Sequence, residues 1–311
     1  MMQGRLQLLG ITILTIILGL RSLELNAQND SNSQGVIRAE VDVVNIIAMV
    51  RNKKGEYVRN LVVKDFDVYE DGVIQKLEFF HYETGETARS LTITVLVDTS
   101  GSVKDELFFE QQAAIEFLKA TLREKKDMAA VLQFDSEVNL VQDFTFDLDT
   151  LESKIYDMVP PGGATKLYDA IVIATEDLLS KEVGRRVMIV LSDGADTQSF
   201  YESSDAIQVA QQKDVVIFGI GVRSRDYHAD FGQLRTFSEA TGGRFFKSKA
   251  NLQRLREAFS KINDGIKNQV SLGYISTNRS RDGGFRKVKI RLKKRGLKVT
   301  HRQGYYAPGQ P

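Results

Sequence analysis

Leu91-Thr92-Ile93-Thr94-Val95-Leu96-Val97 runs directly into Asp98-Thr99-Ser100-Gly101-Ser102, and the reading of this stretch decides the fold. The apolar run is rich in β-branched residues and too short for a typical helix, so it reads as a buried central strand. It delivers one carboxylate and two hydroxyls, at alternate positions, to the strand's carboxyl end, where open α/β sheets bind ligands. A buried strand has no structural need for three oxygen donors at its tip. Oxygen-only donors suit a hard cation, Mg²⁺, Mn²⁺ or Ca²⁺.

Two distant segments supply more of such a site. Gly162-Gly163-Ala164-Thr165 is a glycine loop ending in a hydroxyl, just before a helical pattern of Leu167, Ala170, Ile171 and Ala174. Val187-Met188-Ile189-Val190-Leu191-Ser192 is a second buried strand, ending in Asp193-Gly194. The three pieces in this order resemble the metal-ion-dependent adhesion site of von Willebrand factor type A domains. Asp98, Ser100 and Ser102 match its D-x-S-x-S element, Thr165 the threonine of its second loop, and Asp193 the aspartate of its third. Leu167-Tyr168-Asp169-Ala170 and Phe218-Gly219-Ile220-Gly221-Val222 are further echoes. The flanking Leu61 to Gly72 segment and the closing Arg302-Gln303-Gly304-Tyr305-Tyr306 look like a bacterial secreted family of related proteins.

The resemblance implies a division of labour at the site. Ser100 and Ser102 would be neutral direct ligands, Thr165 would join directly or through water, and Asp98 and Asp193 would hold the waters around the ion. Mg²⁺ takes an octahedron at about 2.0–2.1 Å and keeps several waters. With few anionic direct ligands such an ion stays electrophilic, so a partner protein's carboxylate can replace a water. Capping of the following helix by Asp98 and Ser102 is the competing reading. It leaves the coincidence of Thr165 and Asp193 unexplained. Asp196 reads either as a rim neighbour of the site or as a loop-surface carboxylate. Asp135 and Glu137 read as turn residues or rim contacts.

The chain has 311 residues and a formal net charge of +1, so no global field points to nucleic acid. With no cysteine, disulfides, thiolate catalysis and cysteine-based metal sites are excluded. The histidines, His81, His228 and His301, match no ligand or triad spacing. Gly219-Ile220-Gly221 lacks the third glycine of a dinucleotide fingerprint, and no phosphate-binding loop occurs. A binding module is therefore expected and not an enzyme. A structural envelope scaffold with a vestigial metal site, or a metal-dependent hydrolase using Asp98 or Asp193 as base, are the alternatives.

At the N-terminus, Arg5 followed by the largely apolar Leu8 to Leu20 matches a secretory signal, with residues 1–27 removed. Export to the periplasm or the exterior is expected, the alternative being an uncleaved membrane anchor, because Leu25 is a poor residue for the cleavage site. Residues 28–35 read as a disordered leader.

Residues 36–87 read as β segments, with Asp71-Gly72 a hairpin signal between Phe66–Tyr69 and Val73–Leu77. Residues 88–268 alternate strands and helices, which implies a Rossmann-like, doubly wound, mostly parallel sheet. Residues 269–307 return to strands, where Val288, Ile290 and Leu292 alternate with Lys287, Lys289, Arg291 and Lys293. Neither flank offers enough strands alone. The two are expected to pair into one smaller β-sandwich-like domain with the α/β domain inserted between them. The resemblance also implies that the last helix, Ala250 to Lys267, shifts when ligand binds. The basic cluster Lys293-Lys294-Arg295 with Lys298 and Arg302 reads as protection of a strand edge, with weak, salt-screened contact to an anionic envelope surface as the functional version.

Overall fold

The structure is a computed structural model that describes residues 43–101, 107–159, 162–223, 230–249 and 251–310. The expected signal segment and leader, Ser102 and His228 lie outside the described residues.

The chain enters through β1 (Val43–Arg51), then β2 (Phe66–Glu70) and β3 (Val73–Gln75), which pair antiparallel with Glu70 opposite Val73. Asp71 and Gly72 join them with φ of 47° and 87°, the left-handed pair that a two-residue hairpin needs. The sequence pattern predicts one strand from Val73 to Leu77. Instead the chain breaks at Lys76, and β4 (Leu77–Tyr82) pairs in a different sheet.

The central unit follows as β5 (Leu91–Asp98), α1 (Leu107–Thr121), β6 (Met128–Phe134), β7 (Val138–Thr145), α2 (Leu148–Tyr156) and α3 (Leu167–Ile173). It continues with β8 (Arg185–Ser192), α4 (Ser203–Gln212), β9 (Val215–Arg223), α5 (Gly232–Thr241), β10 (Phe245–Lys249) and α6 (Leu252–Lys267). The sheet order is β10-β9-β8-β5-β6-β7, parallel throughout except for the edge strand β7. Every residue of β5 is buried, as its unbroken apolar run requires. Ile93, Val95 and Val97 pack on one face against Ala114, Phe117, Leu151 and Phe259 of α1, α2 and α6. Leu96 faces the other way, with Ala170, Ala206 and Leu234 of α3, α4 and α5. This is the doubly wound sheet that the alternation of strands and helices predicts.

The chain leaves through β11 (Gln269–Ile275), β12 (Phe285–Leu292), β13 (Lys298–His301) and β14 (Gly304–Tyr306). With β1 to β4 these form two antiparallel sheets, ordered β13-β1-β11-β4 and β14-β12-β2-β3. Their facing sides share a core of Val44, Ile46, Phe66, Val68, Leu272, Tyr274, Val288 and Ile290. Of the expected basic cluster, Lys298 lies in β13, an edge strand of its sheet, while Lys293, Lys294 and Arg295 follow β12, an interior strand between β14 and β2. The expected dense basic cluster is dispersed. Lys293 pairs with Asp67 at 3.1 Å, Lys294 with Asp65 at 3.0 Å, and Arg302 turns inward toward Asp214. Among the described residues, no helix is long and apolar enough to cross a membrane.

Candidate functional site

β5 and β8 are neighbours, while the chain leaves β5 for β6 on its other side. The gap between the carboxyl ends of β5 and β8 is therefore the point where strand order reverses, and ligands bind at such points. Asp98 ends β5, and Ser192 ends β8 with Asp193 next. The Ser192 hydroxyl donates to Asp98 Oδ2 at 2.6 Å, and the Ser100 amide donates to Asp98 Oδ1 at 3.0 Å. The Ser100 side chain also hydrogen-bonds Asp98. The Ala195 amide donates to Asp193 Oδ1 at 3.0 Å.

Thr165 joins this group from the glycine loop. Its amide donates to Thr197 Oγ1 at 2.9 Å, and its carbonyl accepts the Thr197 amide at 2.8 Å, tying its loop to the one after Asp193. A Cβ on Gly101 would stand 3.9 Å from the Gly163 nitrogen, so the first and second loops also meet. The described members of the predicted set, Asp98, Ser100, Thr165 and Asp193, are thus drawn to one end of the sheet, and all are buried. Ser102 lies outside the described residues.

Burial pushes the Asp98 carboxyl up to about 6, the Ser100 and Ser192 hydrogen bonds oppose that, and the charge of Asp193 adds to it. Two carboxylates crowded in a buried pocket of hydroxyls form an oxygen donor set that a hard divalent cation fits and relieves. Among the described residues, no three His, Asp or Glu side chains are grouped to hold an ion by themselves. The donor set here is instead mixed, with hydroxyls beside two acids.

The neighbouring carboxylates have structural work. Asp196 Oδ1 accepts the Tyr168 amide at 3.2 Å and the Ser199 hydroxyl at 2.6 Å, so it holds the first turn of α3. Asp169 Oδ1 accepts the amides of Phe200 and Tyr201 at 2.8 and 3.0 Å. The backbone beneath Phe200 is thereby fixed while its ring is 87 % exposed. Asp135, 2 % exposed, accepts from the Thr99 hydroxyl at 3.2 Å and from the Glu137 amide at 3.1 Å, and its carbonyl accepts the Lys166 amide. It is a buried tie between the first and second loops. Glu137 stays in the turn. His81 and His301 sit in β4 and β13, away from this end of the sheet.

Sequence reasoning passes over Ser192, Thr99 and Thr197, the residues that orient the predicted ones. Only Ser192 carried a signal, as a hydroxyl at the end of an otherwise apolar strand.

The profile of the von Willebrand factor type A domain matches residues 92–288. Calcium-activated chloride channel regulator 1 of Bos taurus is 25% identical over 228 residues, which cover 70% of this chain and 22% of that protein. An uncharacterized protein of Borreliella burgdorferi is 24% identical over 231 residues, covering 70% of this chain and 64% of its own. The chain thus spans less than two thirds of the length of either relative. Among solved structures, proximal thread matrix protein 1 from the mussel byssus, with a zinc-occupied MIDAS motif, superposes with a TM-score of 0.51 at 15% identity. That superposition covers 61% of this chain and 48% of the mussel protein, and it bears on the fold alone.

Proposed function

Because this chain belongs to the von Willebrand factor type A domain family, we propose that it is a divalent-cation-dependent protein-binding module whose site is formed by Asp98, Ser100, Ser102, Thr165 and Asp193. The observation that supports this reading is the buried Asp98 carboxylate, hydrogen-bonded by the hydroxyls of Ser192 and Ser100 and within reach of the charge of Asp193, at the switch point between β5 and β8. Mg²⁺, Mn²⁺ or Ca²⁺ bound there supplies an electrophilic position for an acidic group of a partner protein. Ser100, Ser102 and Thr165 offer neutral oxygens, and Asp98 and Asp193 balance charge and orient waters. The exposed ring of Phe200, on the loop after Asp193, gives a partner an apolar contact beside its carboxylate. We read the chain as a binding module and not an enzyme, since no group at this end of the sheet is placed as a proton shuttle among the described residues.

Export completes the reading and rests on the N-terminal apolar segment. Calorimetric titration of Mn²⁺ and Mg²⁺ into the protein, beside the Ser100→Ala variant, tests the site. Saturable binding lost in the variant is expected. A folded protein that takes up neither ion would leave a scaffold with a vestigial site.

A further inference from the structure

Opposite the candidate metal site, where β8 and β9 begin, the α/β unit meets β1 and β11 around a small cavity of about 70 Å³. Its walls carry Arg89, Arg185, Arg186 and Arg302 but a single carboxylate, Asp214. Glu83 approaches from behind, 2.7 Å from Arg89 and 3.7 Å from Arg185. Four guanidinium groups therefore face two carboxylates, leaving two positive charges without a counter-ion. Arg186 bonds only carbonyls, those of Glu182 and Lys213.

The donors are also incompletely matched. Arg185 is 7% exposed, and its Nη1 donates to Ile266 O and Gln269 Oε1, both at 3.0 Å. Arg302 is 9% exposed, and it donates to Asp214 and to Asn45 O. The buried Nε of Arg302 has no hydrogen-bond acceptor, and that of Arg185 has only Glu83 Oε2, at 3.7 Å and beyond hydrogen-bond reach. A buried guanidinium donor left unmatched is costly, and an oxyanion is the ligand that its planar fork fits best. A single water needs only about 10–15 Å³ of such space, so the cavity has room for a small tetrahedral ion.

We infer that this cavity is a binding site for a small inorganic oxyanion of the phosphate or sulfate type, held between Arg185 and Arg302. The anion neutralises the excess charge and links the start of β8 to the segment between β13 and β14. It therefore joins the α/β unit to the antiparallel sheets. The site is independent of the divalent cation at the other end of the sheet.

The test is calorimetric titration of sodium phosphate, then sodium sulfate, into the full chain with EDTA present. Sodium gluconate, whose anion is too large for the cavity, holds ionic strength constant. Saturable binding is expected, with a matching rise in thermal midpoint. Arg302→Gln is expected to weaken binding by about ten-fold or more by removing a charge-assisted donor. Asp214→Asn is expected to tighten it about ten-fold by removing the competing carboxylate. Asn suits the left-handed backbone at this position, where φ is 54°, so this variant keeps the fold even if Arg302→Gln does not. Absence of saturable binding to the wild type overturns the inference. So does binding that Asp214→Asn leaves unchanged, because the anion would then sit elsewhere.

Discussion

Glu70 and Tyr305 are 235 positions apart in sequence and hydrogen-bonded at 2.9 Å, the phenol donating to Glu70 Oε2. The Tyr274 phenol donates to the same oxygen at 2.9 Å, and the Ser276 hydroxyl donates to Oε1 at 2.6 Å. Three hydroxyls thus satisfy a carboxylate that is 2% exposed. Burial, with the neighbouring Glu70, pushes the Tyr305 phenol up to about 12. The two flanking segments that the sequence marked separately meet at this one carboxylate.

Removing a single hydroxyl from that group tests its worth. Tyr305→Phe is expected to destabilise the protein by about 1–3 kcal/mol, the cost of an acceptor losing a charged hydrogen bond in a buried place. Urea unfolding followed by far-ultraviolet circular dichroism measures it. A loss below a few tenths of a kcal/mol would mean that Tyr274 and Ser276 suffice.

Asp98 is expected to cost the metal-free protein stability. Its folded pKa, about 6, lies above the ordinary 3.8, so the folded state holds the proton more tightly than the unfolded state. The sign follows: stability falls as pH rises from about 4 to 6, by up to roughly 3 kcal/mol for a shift of two units. Asp98→Asn in EDTA should therefore be more stable than wild type at pH 7, and equal to it near pH 4. It should also lose Mn²⁺ binding. Thermal midpoints of both proteins across this range check the crossing.

Glu83 has the opposite slope. Burial raises its pKa, but hydrogen bonds from Arg89 and the charges of Arg89 and Arg185 outweigh burial and hold it below the ordinary 4.5. Its contribution is present above pH 4.5 and disappears as pH falls through the folded value. Glu83→Gln strands the buried Arg185 and unpairs the part-exposed Arg89, and is expected to cost about 3–5 kcal/mol at pH 7, chiefly through Arg185. The gap from wild type should narrow below pH 4.5. A gap constant with pH would show that packing, and not charge, sets the loss.

Gly194 is the tightest backbone constraint at the candidate metal site. Its φ is 88°, and a Cβ there would stand 2.3 Å from the Asp230 carbonyl oxygen. Gly194→Ala is expected to displace Asp193 and weaken Mn²⁺ binding at least about ten-fold, given the strain at such positions. Gly162→Ala is the control. Its φ is 76° with nothing within 4 Å of the Cβ, so it should cost only about 1 kcal/mol of stability.

The sequence was legible where the determining residues are neighbours. β5 and its tip lie in twelve consecutive residues, and burial on both faces forces an unbroken apolar run. The Asp71-Gly72 turn was legible for the same reason. Residues that act only through distant partners were not. Nothing near Arg302 announces Asp214, and nothing near Ser192 announces Asp98, 94 positions away. β7 was missed because its mixed, half-exposed pattern lacks a clean alternation. The partners of Lys293, Lys294 and Arg302, which are Asp67, Asp65 and Asp214, were not legible because a strand's neighbours are set by pairings that one segment does not encode.

The interruption of the antiparallel sheets has a consequence for the order of assembly. β1 meets its partner β11 across 226 positions, as in the contact of Asn45 with Ser271, so β1 and β4, unlike the β2–β3 hairpin, have no sheet partner until the chain has passed through the α/β unit. That unit returns its ends together, with the Glu83 amide donating to Gln269 O at 2.9 Å. Closing a disordered loop of that length would otherwise cost about 5 kcal/mol of chain entropy. The α/β unit is thus the clasp on which the outer sheets depend. A lesion in its core, such as Phe259→Ala against the stacked Phe117, should open strands that it never touches.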